Sequence, residues 1–266
     1  MELDITLIII LLVTGFGAGM IDAIAGGGGL ITLPVLLSTG MSPVEALATN
    51  KLQGSFGTLA ASVYFVRKKL VDLSQMKLMI SCTFVGAVLG TLIVQQIDTS
   101  LLASIMPLLL VLIALYFMFS KRIGDEDRDR KVSNAVFAFV FTFAIGFYDG
   151  FFGPGTGTFF AVAFISLLGF SMARATAHTK VLNFTSNIAS LIFFAMGGNI
   201  IWVAGFIMAA GQLVGGQLGA RMVVSKGVSL IRPLIVVVTL AMSARLLFDQ
   251  YHQGSQLVGQ LLSWFG

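Results

Sequence analysis

The sequence predicts an all-α, polytopic transmembrane bundle of 8 to 10 membrane segments, built from two inverted-topology repeats with glycine-rich broken helices. The first observation behind this is composition. Of 266 residues, 57% are hydrophobic and only 11% are charged, and the mean hydropathy is +0.96. A soluble domain uses about a quarter charged residues, so lipid is the expected solvent. Many runs are long enough to cross about 30 Å of hydrocarbon at about 1.5 Å per residue. They lack the alternation of a membrane barrel strand.

The second observation is an apolar unit that occurs twice. The first copy reads GAGMIDAIAGGGGLITLP and then GMSPVEALATNKLQ; the second reads AIGFYDGFFGPGTGTFF and then GFSMARATAHTKVLN. Asp22 matches Asp149, Gly26 matches Gly153, Gly28 matches Gly155 and Lys51 matches Lys180, at offsets of 127 to 129 residues. Gly86 and Gly90 match Gly215 and Gly219 in the same way. Duplicated helix breaks around ionisable residues are a mark of solute sites between repeats.

The third is loop charge. Lys and Arg concentrate in RKKLVDLSQMK, in the linker KRIGDEDRDRK and in RMVVSKGVSLIR, while QQIDTS and GGNI carry none. The positive-inside rule makes the first group cytoplasmic and the second external. The basic loop of one copy corresponds to the neutral loop of the other. Equivalent loops have therefore swapped sides, which makes the repeat inverted and puts both termini outside.

Taken in order, the segments of the first repeat (1–120) are 5–23, 25–39, 44–66, 76–94 and 101–120. A cytoplasmic linker occupies 121–132. The second repeat (133–250) has segments 133–151, 154–169, 173–197, 200–221 and 231–249, and 251–266 is a C-terminal tail able to lie at the interface. Segments 25–39 and 154–169 are short, and sequence leaves full spans and re-entrant half-helices equally open. The N-terminus has no basic residue before its apolar run, so it does not read as a cleaved signal peptide. The single cysteine, Cys82, excludes an intramolecular disulfide and reads as packing.

The two breaks, AGGGGLITLP and FGPGTGTFF, carry the chemistry. Glycine costs about 1 kcal/mol in a helix and proline about 3 kcal/mol, so the backbone opens there. A helix restarting after a break offers free N–H groups and a positive dipole end, which suits an anion. Gly28, Gly29, Gly155 and Thr156 are the candidates on those helix starts. Lys51 and Lys180, with Thr49, Asn50, Thr179 and His178 beside them, complete the candidate anion-binding set. Asp22 and Asp149 would repel an anion at close range. They are expected to pair with a lysine, cap backbone or carry a coupling ion, with Asp22 grouped with Lys51 and Asp149 with Lys180. Charges inside a membrane cost about 2.5 kcal/mol or more and so mark function or an internal ion pair. The i, i+4 glycines at 86, 90, 215 and 219 fit close helix packing better.

No metal-ligand cluster, nucleophile–base spacing or phosphate loop is present, so an enzyme, a metal site and a cofactor are not expected. The net charge of +4 sits in loops and is no nucleic-acid signal. The expected partners are a small anionic solute and the lipid bilayer, with a coupling proton or cation and self-association left open.

At these residues the chain resembles the TauE/SafE family of sulfite-exporter and toluene-sulfonate uptake permeases. The resemblance rests on GAGMIDAIAGGGGLITLPVLL, ALATNKLQGSFG and ATAHTKVLNFTSN, in order across residues 15–221. It implies a multi-pass bacterial inner-membrane transporter of a small anion such as sulfite, a sulfonate or another organic acid. A passive anion channel and an accessory membrane subunit are the alternatives. Asn50 is replaced by Thr179 and Thr49 by His178 in the second copy, so the two halves of the site are not expected to be symmetric.

Overall fold

The computed structural model describes residues 4–119 and 127–226. The expected segment 231–249 and the tail lie outside the described residues, as does most of the linker. The described chain is helical: α1 (Ile5–Ala25), α2 (Gly28–Ser38), α3 (Pro43–Arg67), α4 (Leu73–Val94), α5 (Thr99–Phe119), α6 (Asn134–Phe151), α7 (Thr156–Leu168), α8 (Met172–Met196) and α9 (Trp202–Lys226). Four of these, α1, α4, α6 and α9 to Val224, are long and apolar enough to cross a membrane.

Local chemistry sets the boundaries. Ser42 and Glu45 form a reciprocal capping box ahead of α3, with Pro43 at the first helical position. Asp72 caps α4 and Ser133 caps α6. α1 ends at Gly26 and α7 at Gly169, each in the left-handed conformation that glycine adopts without penalty. Residues Phe137–Thr142 of α6 form a π-helical turn. Thr142 donates to the Ala138 carbonyl within that helix and to the Met79 carbonyl of α4, while Thr83 of α4 donates back to the Thr142 carbonyl. Sequence does not foretell this turn, because the run 135–147 is apolar throughout apart from Thr142.

The polarity of the bundle is inverted relative to a soluble protein. Ile5, Ile9, Val13, Phe139, Val203 and Phe206 lie on the surface, whereas Lys51 and Lys180 are each 1% exposed. Asn50, Gln53, Asp149, Asn183, Ser186 and Gln212 are buried as well. Only a non-aqueous surround makes such an arrangement stable.

Helix directions follow from the contacts. A side chain at Gly211 would strike α1 at Leu12, one at Gly215 would strike Phe16, and one at Gly219 would strike Met20, so α1 and α9 run the same way. Gly86 and Gly90 meet Phe143 and Phe147 in register, so α4 and α6 also run the same way. The matched glycines therefore serve close packing. α1 packs on α9 as α6, its counterpart in the other copy, packs on α4.

The turns sort by charge. Asn199 donates to Gln95 across the two neutral turns. The Ile201 N–H donates to Thr49, which sets the start of α3 beside the start of α9 at this neutral end. Gln75 and Met76, after the basic α3–α4 turn, share a cleft with Arg128 and Arg130 of the linker. α3 thus runs from the neutral to the basic end, and α8, whose start is tied to Asp127 of the linker, runs back.

The short helices fold back on their predecessors. Tyr148 stacks edge-on with Phe159, and Phe137 lies against Phe164, so α7 returns antiparallel along α6. A side chain on Gly28 would meet Ala18 and Asp22, so α2 starts against α1. The turn 39–42 then delivers the chain to the start of α3 at the neutral end. One hairpin, α1–α2, therefore opens toward the neutral end and the other, α6–α7, toward the basic end. Their tips meet: a Cβ on Gly26 would lie 2.5 Å from the Gly157 Cα, and one on Gly29 would lie 3.3 Å from the Pro154 Cα.

Candidate functional site

The hairpin tips and the middle of α3 and α8 place all four matched charges together, but not as grouped from sequence. Lys51 pairs with Asp149 at 2.8 Å, and Lys180 pairs with Asp22 at 2.9 Å. Each pair joins the two copies. The expected grouping of Asp22 with Lys51 and Asp149 with Lys180 is corrected: because the hairpins enter from opposite ends, each tip is carried past its own lysine helix to the other one.

The two carboxylates have unequal surroundings. Asp149 Oδ1 accepts from Lys51 and from the Thr156 hydroxyl at 3.0 Å, and Oδ2 accepts from the Ser186 hydroxyl. Lys51 also donates to the Asp149 backbone carbonyl at 2.5 Å. Asp22 accepts from Lys180 and, at 3.2 Å, from the Gly28 N–H at the start of α2. Its side chain is 18% exposed against 5% for Asp149. The sequence positions explain the difference. Thr156 corresponds to Gly29 and Ser186 to Gly57, so the first copy lacks both hydroxyl donors. The space at Gly57 and Gly19 receives the Gln212 side chain.

The helix starts expected to bind an anion are thus already served by carboxylates. Asp22 caps α2 and Asp149 binds Thr156 at the start of α7, as the positive end of a helix favours. Tyr148 OH donates to the Pro154 carbonyl at 2.6 Å and fixes the second tip.

Between the tips lies a cavity of about 40 Å³. Of the sequence candidates, Asp22, Asp149, Asn50, Gly28, Gly29, Gly155 and Thr156 line it. Lys51 and Lys180 reach it only through their carboxylates. Thr49, Thr179 and His178 are not in its lining. Thr49 is committed to the Ile201 N–H, and His178 Nδ1 lies 2.8 Å from the Arg174 carbonyl, its ring between Phe164 and Phe170. Thr179 is buried with no hydrogen-bond partner for its hydroxyl. Arg174 itself pairs with exposed Asp127 and covers the Phe170 ring at 4.0 Å.

The lining also holds Gln53, Asn183, Asn187 and Gln212, which were not in the candidate set. A signal for two of them was present. Asn183 and Asn187 follow Lys180 at i+3 and i+7, one face of a helix. Gln212 had no such marker; its role depends on how α9 meets α1 and α3.

An apolar exterior, an interior of paired charges and carboxamides, and two helical hairpins meeting tip to tip define a polytopic integral membrane protein with a polar site enclosed between its halves. Comparison with known proteins narrows this class. Residues 11–246 match the family described as "Sulfite exporter TauE/SafE". The chain is 50% identical over 249 residues to "Probable membrane transporter protein YfcA" of Escherichia coli (strain K12), covering 94% of this chain and 90% of that one. It is 49% identical over 250 residues to a "Probable membrane transporter protein" of Haemophilus influenzae, covering 94% and 98%, and 44% identical over 251 residues to "Probable membrane transporter protein ORF9" of Sinorhizobium sp, covering 94% and 96%. No solved structure matches the chain. The chain belongs to the TauE/SafE family of membrane transporters.

Proposed function

We propose that the protein is a secondary transporter that moves a small anion, such as sulfite, a sulfonate or another organic acid, across the bacterial inner membrane by alternating access. The observation that carries this reading is the pair of ion bridges between copies, Lys51–Asp149 and Lys180–Asp22. A buried lysine held by a carboxylate is a site where an incoming oxyanion can take the carboxylate's place. Because each carboxylate belongs to the opposite copy, that exchange loosens a contact between halves, α6–α7 against α3 or α1–α2 against α8. Binding is thereby linked to movement of one half against the other, as population shift requires.

The two halves correspond to 1–120 and 133–250, joined by the linker 121–132, and we take them as an inverted repeat. The opposite directions of α3 and α8, the antiparallel entry of the two hairpins and the sorting of basic and neutral turns support this. On the positive-inside rule the basic end is cytoplasmic, which puts the start of α1 outside. Helices α2 and α7 are then re-entrant, and their irregular tips are tolerated because protein surrounds them.

The test is counterflow of labelled sulfite and of sulfonates in proteoliposomes. A carrier gives saturable uptake that is accelerated by unlabelled anion on the far side, and Lys51→Ala and Lys180→Ala each lower the apparent affinity. Equal affinity in both variants sinks the lysine assignment, and non-saturating flux without counterflow points to a channel.

A further inference from the structure

We propose that the cavity between the hairpin tips binds a monovalent cation, with Asp22, Gln53 and Asn183 as its ligands and Na+ as the ion that fits. Asp22, Asp149, Asn50, Gln53, Asn183, Asn187 and Gln212 line this cavity together with tip glycines and Thr156, and no lysine or arginine does. Its side chains are therefore carboxylates, carboxamides and a hydroxyl, all able to offer oxygen.

The second observation is a set of unspent acceptors. Gln53 and Asn183 are 1% and 4% exposed, and the side-chain carbonyl oxygen of each has no hydrogen-bond donor. Neighbouring acceptors are satisfied. Asn50 Oδ1 receives Thr32 and Gln53, both at 2.6 Å, and Asp149 receives Lys51, Thr156 and Ser186. Asp22 keeps the greater spare capacity, with one lysine contact and one long backbone contact. A buried carbonyl without a donor is costly unless a cation or water completes it.

Size and donor type select the ion. A water occupies roughly 10–15 Å³ of such space, so about 40 Å³ matches a bare or sparingly hydrated ion. Among the described residues there is no group of three or more His, Cys, Asp or Glu able to hold a metal. One carboxylate with amide oxygens suits a hard alkali ion rather than a transition metal. The carbonyl-bearing end of α1, at Asp22–Ala25, adds negative dipole at the same place. The site does not depend on the anion reading. If both hold, the cation offsets the charge of the anion and the pair crosses as a neutral unit.

The experiment is thermal unfolding of the purified full chain in detergent. NaCl is titrated against KCl and N-methyl-D-glucamine chloride at constant ionic strength and pH, with chloride held equal. The expected result is a Tm increase that saturates with Na+, is weaker with K+ and is missing with the organic cation. Gln53→Met and Asn183→Ala leave both ion pairs in place and should abolish the sodium-dependent increment. Should these variants fold poorly, binding of radioactive Na+ to the wild-type chain decides the matter alone, with one site per chain displaced by excess Na+. Superimposed Na+ and N-methyl-D-glucamine curves, or Na+ binding no greater than to protein-free micelles, overturn the proposal. Sodium binding without sulfite or sulfonate counterflow would leave this site standing and remove the anion reading; counterflow that is indifferent to Na+, with no binding, would do the reverse.

Discussion

The crossed ion pairs make a prediction that separates them from the grouping read along the chain. Asp149→Asn leaves Lys51 buried, charged and without its carboxylate partner. Breaking one side of a buried pair costs about 3–5 kcal/mol. The burial of Lys51 at 1% and of the Asp149 side chain at 5% places this bridge in that class. For chains near this size each kcal/mol moves Tm by about 2–4 °C, so a loss of about 6–20 °C is expected. Lys51→Met costs less, because Asp149 keeps the Thr156 and Ser186 hydroxyls. The double variant Lys51→Met, Asp149→Asn carries no unpaired charge there and should recover much of the loss, a coupling of about 2 kcal/mol or more. Lys51→Met with Asp22→Asn should be additive within about 0.5 kcal/mol, since no ion pair joins them. The assay is unfolding in mild detergent, followed by helix signal and by tryptophan fluorescence. Coupling of Lys51 to Asp22 in place of Asp149 would refute the crossed architecture and the linkage of binding to movement built on it.

Three further outcomes follow from the same geometry. Gly26→Ala should lower Tm and folded yield, because φ is +80° and the new Cβ would sit 2.5 Å from the Gly157 Cα; overpacking of this kind costs about 1–3 kcal/mol. Gly17→Ala, with nothing within 4 Å of the added atom, is the control and should not lower Tm. Asp127 anchors the linker through the Ser171 N–H and Arg174, and its carboxyl is held below the usual carboxylate range, chiefly by that backbone bond. A depressed carboxyl contributes stability above its unfolded pKa and loses it as pH falls through the folded one. Exchange protection at the Ser171 amide should therefore persist from neutrality to mildly acidic pH and fall below the ordinary aspartate range. Asp127→Ala should remove that dependence while changing global stability by no more than about 1 kcal/mol, as for exposed pairs.

Much of the fold was legible because the membrane writes it in composition. Nine expected segments lie within a few residues of α1 to α9, since a run of apolar side chains ended by glycine, proline or a capping serine has few other solutions. The matched glycines at 86, 90, 215 and 219 were readable as packing for a similar reason: a missing side chain at i, i+4 admits another backbone. What could not be read was the return of α2 and α7, because an apolar helix of 11 or 13 residues has the same composition whether it continues or folds back. The partner of each lysine was hidden for the same cause. Repeats suggest pairing within a copy, whereas hairpins inserted from opposite ends exchange partners. Thr49 is adjacent in sequence to Asn50, which lines the cavity, but points roughly a quarter turn away from it, since successive helical residues are about 100° apart.

The two carboxylates are held unequally. Asp149 is closed in by a lysine, a threonine and a serine. In the first copy glycine stands at both hydroxyl positions, and Gln212 fills the room. The result is one carboxylate, Asp149, with three side-chain donors, and one, Asp22, with a single lysine and one long backbone contact. An interior carboxylate with spare acceptors costs stability unless it is used, and it lines the same cavity as Gln53 and Asn183, whose buried amide oxygens have no donor. On the proposed transport function either lysine exchanges its carboxylate for an anion, and the better-held Asp149–Lys51 pair should yield less readily than Asp22–Lys180.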